Sequence, residues 1–302
     1  MSSRPLVSAL INNYNYAPFL GDAIDSVLNQ TYANIEVIVV DDGSTDESSA
    51  IIRSYGSRVV PIFKQNGGQA SAVNAGVVAS RGEIVCLLDA DDVWLPSKVA
   101  DVVDAAIKDP ESLLLYHKIQ PVSRELRPCG KVVPKGLFRG PIADLIRNSG
   151  GLWTSAPSSA LSFRKAALDK IGPIPEDQIR YAADGFLLAI VPLLGPVTGL
   201  NKCLTWYRSH GTNQSGISGM SQAARSVQYQ QVVDAVNRRL MELDIQGQLT
   251  LEENLGYQLA KYRALLPGHL RRDQLAWRAL LFKAEPLAYQ RFRHCMKLMV
   301  KG

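Results

Sequence analysis

Short apolar segments alternate with amphipathic segments over the first 110 residues, and this alternation constrains the fold more than any other feature of the chain. Within the amphipathic segments, apolar residues recur at the spacing of one helix face. Strands that alternate with helices form parallel sheets through right-handed crossovers. The sequence therefore predicts an α/β fold, a mostly parallel central sheet flanked by helices, with its first four strands at residues 6–11, 35–40, 59–63 and 84–88.

The fourth of these strands is followed by three closely spaced carboxylates, Asp89, Asp91 and Asp92. Ligands of open α/β sheets bind at the carboxyl ends of the strands, which is where these side chains would lie. Carboxylates this close repel one another unless a cation compensates their charge. Mg²⁺ and Mn²⁺ prefer oxygen ligands and often bind phosphate as well, so this segment predicts chemistry on a metal-bound phosphate compound.

Polar residues also follow the first two strands. Tyr14 follows the first, where an aromatic ring could stack on a nucleobase or only cover the core. Asp41 and Asp42 follow the second, where a carboxylate can accept hydrogen bonds from a base or a ribose. Turn chemistry explains the two acids equally well, because Ser44 or Thr45 would then cap a helix that runs to residue 55.

Two glycines, Gly67 and Gly68, precede the third helix, which is predicted to end near residue 80. Glycines before a helix N-terminus can bring backbone N–H groups to a phosphate. The pattern matches neither the dinucleotide-binding fingerprint nor the P-loop. A tight turn with close helix packing therefore remains the alternative.

Three polar residues in the second half of the chain are further candidates for a site. Asp184 begins an apolar helical segment, where it could act as a general base or only complement the helix N-terminus. After a predicted strand, Arg208 could neutralise phosphate and His210 could bind a metal. The remaining predicted elements are strands at 113–117, 161–163 and 204–208, a hairpin at 124–135, and helices at 164–171, 182–194, 221–243, 250–265, 270–283 and 285–299.

Composition and charge limit the cellular locations and partners that we expect for the protein. No segment reaches the roughly 18 uncharged apolar residues of a membrane span, and we expect no signal peptide. The four cysteines form no CxxC pair, which favours a reducing, cytoplasmic location without structural zinc. Residues 259–302 hold ten lysine and arginine residues against two acidic residues. This basic tail predicts peripheral contact with the inner face of a membrane, contact with an acidic acceptor, or only a solvated helix face.

The order of these motifs resembles that of family 2 glycosyltransferases, which have the GT-A fold. The resemblance covers about residues 5–215 and leaves the tail outside. On this basis we expect a GT-A domain at 1–218, with a nucleotide-sugar half at 1–110 and an acceptor half at 111–218, and a helical C-terminal region at 219–302. The motifs are Tyr14-Asn15, Asp41-Asp42-Gly43-Ser44, Asn66-Gly67-Gly68, Asn74-Ala75-Gly76, Gly82-Glu83, Leu88-Asp89-Ala90-Asp91-Asp92, Asp184 and Tyr207-Arg208-Ser209-His210.

The resemblance implies a role for each candidate residue. Asp184 would be the catalytic base, although Ala183-Asp184-Gly185 lacks the glutamate that usually precedes it and the aromatic residue that usually follows. The residues that would bind the nucleotide sugar are Asn12, Tyr14, Asp42, Gly68, Asp89 and Arg208. The ligands of a Mn²⁺ or Mg²⁺ ion would be Asp91, His210 and Asp89, with Asp91 the main one.

The implied reaction is the inverting transfer of a sugar from a nucleotide-diphosphate sugar to a hydroxyl group. A UDP-sugar is the expected donor, with dTDP- and GDP-sugars as alternatives, and a glycan or glycolipid of the cell surface is the expected acceptor. We expect no nucleic acid partner, and the sequence indicates no oligomeric state. Two other interpretations remain open: a D-x-D-x-V phosphatase with Asp89 as its nucleophile, and a protein that binds nucleotide sugars without catalysis.

Overall fold

A computed structural model describes residues 4–210, 221–255 and 257 of the 302-residue chain. The strands are β1 (Val7–Asn13), β2 (Ile35–Asp41), β3 (Val60–Phe63), β4 (Ile84–Asp89), β5 (Val93–Trp94), β6 (Leu114–Val122), β7 (Arg139–Gly140), β8 (Leu161–Arg164) and β9 (Val197–Arg208). The α-helices are α1 (Ala17–Leu28), α2 (Ser48–Ser54), α3 (Gln69–Ala79), α4 (Lys98–Lys108), α5 (Ala143–Asn148), α6 (Lys165–Ile171), α7 (Ala183–Leu194) and α8 (Gln222–Glu242).

All these strands belong to a single sheet, in the order β3-β2-β1-β4-β8-β6-β9-β5, with β7 paired to β9. The first four are parallel, as predicted, and β6 and β9 are parallel to each other. Only β8, β5 and β7 run against their neighbours. The predicted α/β fold with a mostly parallel sheet is confirmed.

The strand register brings the polar strand ends to one edge of the sheet. Asn12 of β1 lies between Val40 of β2 and Asp89 of β4, and the next residue, Asn13, pairs with Asp41. Because parallel strands end at the same edge, motifs that are far apart in sequence become neighbours there.

Alternate residues of the central strands pack into two apolar layers, one on each face of the sheet. Leu10 and Leu87 face a layer formed with α3, α5, α6, α7 and α8. Ile11 and Leu88 face a layer formed with α1, α2 and α4. Burial on both faces explains why these strands are continuously apolar in sequence.

The first C-terminal helix, α8, belongs to the same core as the sheet. Val233, Val236 and Leu240 are buried with Phe186 of α7 in one apolar layer. The segment after α8 is tied back by Asn237, whose side chain donates to the carbonyl of Leu249 at 2.9 Å and accepts from its N–H at 2.7 Å. No helix within the described residues is both long and apolar enough to cross a membrane.

Three local predictions need correction. Helix α2 begins at Ser48 rather than after a cap at Ser44 or Thr45, because Ser44 Oγ instead donates to the carboxylate of Asp41. Strand β9 begins at Val197, well before the predicted residue 204, because its first part pairs with β6. Residues 124–135 do not form the two paired strands of the predicted hairpin. It meets β6 through two isolated bridges, Ile119 with Val133 and Val122 with Pro128.

The predicted helices at 270–283 and 285–299, and most of the one at 250–265, lie outside the described residues. The same holds for the basic tail, so its predicted membrane contact remains a prediction.

Candidate active site

A cavity of about 500 Å³ lies at the edge of the sheet where β1, β2 and β4 end. It is lined by seven of the nine residues predicted for the site: Asn12, Tyr14, Asp42, Gly68, Asp89, Asp91 and Asp184. The other two, Arg208 and His210, lie behind Asp91 and contact it directly. The structure therefore brings together residues that are up to 198 positions apart, from Asn12 to His210.

The three carboxylates after β4 have different surroundings. Asp89 accepts a hydrogen bond from Asn12 Nδ2 at 2.9 Å, and its pKa is raised to about 7 by burial and by the charge of Asp91. Asp92 is buried below the cavity and accepts from Ser159 Oγ at 2.5 Å and from the N–H of Arg208 at 2.8 Å. Burial and the two neighbouring acids raise the pKa of Asp92. A cation would relieve the mutual repulsion of these closely spaced carboxylates.

Asp91 and His210 are the pair best placed to bind that cation. Asp91 Oδ2 lies 3.0 Å from His210 Nε2, and the imidazole is held against Phe19, with ring centroids 4.4 Å apart. Within the described parts of the chain, no group of three or more His, Cys, Asp or Glu residues is placed to hold a metal. The predicted third ligand, Asp89, is instead bonded to Asn12. Two protein ligands fit Mg²⁺ or Mn²⁺, because these ions usually complete their coordination with water and substrate phosphates.

Arg208 was predicted to contact phosphate, but its described hydrogen bonds direct the guanidinium group towards the protein interior. It donates to Asp22 Oδ2 at 2.7 Å, to the carbonyl of Asp91 at 2.9 Å and to that of Arg124 at 2.8 Å. The residue is almost fully buried. These contacts tie the end of β9 to α1, so Arg208 supports the placement of Asp91 and His210.

Asp42 and Gly68, which both line the cavity, form a hydrogen-bonded unit with Gly67. The Asp42 carboxylate accepts from Lys64 Nζ at 2.6 Å, from the N–H of Gly67 at 3.0 Å and from the N–H of Gly68 at 2.7 Å. Of the two predictions for these glycines, the structure favours the tight turn over phosphate binding, because both N–H groups donate to Asp42. The carboxylate retains room for about one further donor, since two ionised oxygens accept about four hydrogen bonds.

We expect Gly68→Ala to disrupt this unit. Gly68 has a φ of +90°, and a β-carbon there would lie 2.5 Å from the carbonyl oxygen of Arg180. Backbone strain and the clash together should lower the free energy of unfolding by about 2–4 kcal/mol, measured by urea denaturation. The control is Gly56→Ala, which has a φ of +56° but no atom within 4 Å of the new methyl group. Equal losses for the two variants would show that the contact with Arg180 has no effect.

Asp184 lies in the first turn of α7, on the wall of the cavity. Its Oδ1 accepts from the N–H of Gly185 at 2.9 Å, and burial raises the pKa of its carboxyl. The turn that leads into α7 is held by Gln69, whose Oε1 accepts from the N–H of Ala183 at 3.2 Å. A carboxylate with a raised pKa beside a cavity is a suitable general base.

The sequence analysis missed two residues that organise the site, Gln69 and Ser159. Ser159 donates to Asp92 and accepts from the N–H of Asp89 at 3.1 Å. These two hydrogen bonds hold residues 89–92 in place. Gln69 directly follows the Asn66-Gly67-Gly68 motif, whereas Ser159 belongs to no motif. The partners of both residues are distant in sequence, so only the folded structure identifies their roles.

The family model for glycosyl transferase family 2 matches residues 8–172, more than half of the chain. The chain belongs to glycosyltransferase family 2. A curated relative, an uncharacterised glycosyltransferase of Nostoc sp., is 33% identical over 269 residues, which are 85% of this chain and 82% of that protein. This membership favours the transferase over the phosphatase interpretation of Asp89.

Solved structures match the fold of this family 2 glycosyltransferase. Staphylococcus aureus TarS is 18% identical, with a TM-score of 0.61, and the match covers 92% of this chain but only 49% of TarS. Its fragment 1–349, in complex with UDP-GlcNAc, gives a TM-score of 0.58 and covers 97% of this chain and 90% of the fragment. The mannosyltransferase PcManGT of Pyrobaculum calidifontis, with GDP-Man and Mn²⁺, is 18% identical, with a TM-score of 0.52 and coverage of 99% and 87%. The predicted GT-A fold is confirmed.

Proposed function

We propose that this enzyme transfers a sugar from a nucleotide-diphosphate sugar to an acceptor hydroxyl, with inversion at the anomeric carbon. One observation carries the proposal: the residues that line a single cavity include Tyr14, Asp42, Asp89, Asp91 and Asp184. These side chains suit a nucleoside, a diphosphate and an acceptor hydroxyl.

The nucleoside would lie beside Tyr14 and Asp42. The ring of Tyr14 can stack on the base. Asp42 has about one acceptor position left, which suits one N–H of a base or one ribose hydroxyl. Asn12 and Asp89, joined by their hydrogen bond, would form the wall next to the ribose.

Asp91 and His210 would hold a Mn²⁺ or Mg²⁺ ion. When bound, the ion would neutralise the diphosphate and stabilise the departing nucleoside diphosphate. Four aspartates line the cavity, and none of the described lining residues is a lysine, an arginine or a histidine. A dianionic leaving group would therefore be repelled without a cation, which supports metal dependence.

Asp184 would accept the proton of the acceptor hydroxyl as that oxygen attacks the anomeric carbon. A single base that activates the acceptor directly corresponds to one displacement, which inverts the anomeric configuration. We infer no covalent intermediate.

A UDP-sugar is the donor that we propose, with dTDP- and GDP-sugars as the alternatives to be tested. The related structures are consistent with more than one base, because TarS was solved with UDP-GlcNAc and PcManGT with GDP-Man. We further propose a glycan or glycolipid acceptor, catalytic residues that all lie within residues 1–218, and a cytoplasmic enzyme whose residues 219–302 provide any contact with the membrane.

The test is a thermal-shift panel of UDP-, dTDP- and GDP-sugars with and without Mn²⁺. At a concentration about 100-fold above Kd, the correct donor should raise Tm by roughly 5–10 °C, and only with the metal present. Failure of every donor to shift Tm would contradict the proposal. Binding without sugar release in the presence of acceptors would favour a nucleotide-sugar-binding protein.

A further inference from the structure

Residues 174–183 form the segment that leads into α7 and so to Asp184, and we call them the lead-in segment. Its first residue is held by Asn74 of α3. Asn74 Nδ2 donates to the carbonyl of Ile174 at 2.9 Å, and Asn74 Oδ1 accepts from the N–H of Ile174 at 2.8 Å. Asn74 is not among the residues that line the cavity. The Asn74-Ala75-Gly76 motif therefore has its partner 100 positions away, at the start of the segment that ends beside the candidate base.

The other end of the lead-in segment is held by the first turn of α3. Gln69 Oε1 accepts from the N–H of Ala183 at 3.2 Å, and the N–H of Ala70 donates to the carbonyl of Arg180 at 3.3 Å. Gly68 lies so close that a β-carbon there would be 2.5 Å from the same carbonyl oxygen. Two hydrogen bonds and one close approach thus fix the chain on both sides of residue 182.

The residue between these two fixed points has an unfavourable backbone conformation. Ala182 has a φ of +62° and a ψ of 42°, in the left-handed region that alanine rarely adopts. Such a conformation persists only where surrounding contacts hold it. Ala182 directly precedes α7 and offers no side-chain cap, so its dihedral angles set the direction of the first turn, where Asp184 lies. The position of the candidate base therefore depends on the contacts that hold the lead-in segment.

Gln69 also faces the acidic segment after β4. Its side chain lines the cavity, and its Nε2 lies 3.5 Å from Ser158 Oγ and within hydrogen-bonding reach of Asp89. One side chain therefore contacts both the acidic segment assigned to the donor and the turn that carries the base.

We propose that Gln69 and Asn74 are positioning residues that hold the lead-in segment on α3 and thereby place Asp184 relative to the bound donor. This inference rests on the proposed function, in which Asp184 accepts the proton of the acceptor hydroxyl. It adds that α3 sets the distance between donor and base, so that loss of either contact slows sugar transfer without weakening donor binding.

The test introduces Gln69→Met and Asn74→Ala into the full-length wild type and into Asp184→Asn, with the donor and acceptor found active. Methionine is similar in length to glutamine but cannot accept the hydrogen bond from the N–H of Ala183. In the wild type we expect each variant to lower kcat about tenfold or more, because a small misplacement of a catalytic group is costly, and to leave the donor Kd within about twofold. In Asp184→Asn the same changes should lower kcat by less than about twofold, because residues that act through the base are not additive with its loss.

The matched control is Gln65→Met, which makes the same chemical change at an exposed residue that precedes α3 and is not among those that line the cavity. It should leave kcat unchanged in both backgrounds. Urea denaturation of each variant establishes that the fold is retained. If Asn74→Ala does not fold, Gln69→Met, which removes fewer hydrogen bonds from the lead-in segment, decides the question alone.

Three results would overturn the proposal. The first is an unchanged kcat in both Gln69→Met and Asn74→Ala. The second is an equal loss of kcat with and without Asp184, which would mean that these residues do not act through the base. The third is a loss of donor affinity in Gln69→Met that accounts for the whole effect, which would make Gln69 a donor-binding residue.

These outcomes are distinguishable from failure of the proposed function. If the wild-type enzyme releases nucleoside diphosphate from no donor, the transferase proposal itself fails. If the wild type releases it and Asp184→Asn is equally fast, the base lies elsewhere, and this inference is overturned while the transferase activity stands.

Discussion

Replacing Asp184 with asparagine is expected to reduce kcat by about 10²–10⁴-fold, the range typical of losing a positioned general base. Asparagine keeps the shape of the side chain and can still accept the hydrogen bond from the N–H of Gly185, which measures 2.9 Å. Donor binding should therefore persist. The measurement is steady-state kcat and donor Kd for wild type and variant, and unchanged kcat would mean that another group takes the proton.

The same variant should be more stable than the wild type at neutral pH. Burial raises the pKa of the Asp184 carboxyl above its ordinary 3.8, so the folded state binds this proton more tightly than the unfolded chain does. At pH values above the raised pKa, the ionised group therefore destabilises the fold. The penalty shrinks as the pH falls below the raised pKa and is gone below the ordinary value of 3.8. Asp184→Asn should raise Tm at pH 7.5 by about 2–4 °C for each kcal/mol of penalty removed. For activity the sign is opposite, because kcat needs the ionised base and should fall as the pH falls through the same raised pKa.

Replacing Asp91 with asparagine is expected to abolish metal-dependent donor binding. Asp91 Oδ2 faces His210 Nε2 at 3.0 Å, and loss of its charge leaves the imidazole as the main protein ligand. The affinity for Mn²⁺ should fall by more than the roughly 10–100-fold that accompanies loss of an outer-shell partner. Titration of Mn²⁺ in the presence of the nucleoside diphosphate measures the change.

The matched control for this variant is Asp144→Asn, which removes the same charge from a carboxylate that is 96% exposed on α5. It should leave the Mn²⁺ dependence unchanged. If Asp91→Asn behaves like Asp144→Asn, then the cation is bound elsewhere or is not required.

The central strands of the sheet and the acidic residues at its edge could be predicted from the sequence. The apolar segments before Asp89 and Asp41 are strands, and their parallel register places the acids side by side. This could be predicted because a strand buried on both faces leaves a continuous local pattern, and parallel strands end at a common edge.

The same patterns did not reveal which partner each polar group binds. The sequence left open whether the N–H of Gly68 meets a phosphate or belongs to a tight turn, and in the folded chain it donates to Asp42 at 2.7 Å. Arg208 was expected at the diphosphate, yet it reaches Asp22, 186 positions away in sequence. Competition between a ligand and a distant protein group is decided by tertiary packing, which no local motif records.

The part of the cavity formed by α8 was the least predictable part of the molecule. Tyr229 and Gln228 line the cavity from α8, for which the sequence predicted only a helix. Their contact with the cavity depends on how α8 packs against α7, and that packing is set by buried residues such as Val236 and Phe186.

The most direct test of the central claim is nucleoside diphosphate release from a nucleotide-sugar panel with Mn²⁺ and a set of glycoside acceptors, by wild type and by Asp184→Asn. The account predicts release from one donor class by the wild type, and at least 100-fold slower release by the variant despite retained donor binding. Absence of release by the wild type from every donor, or equal rates for the two proteins, would contradict it.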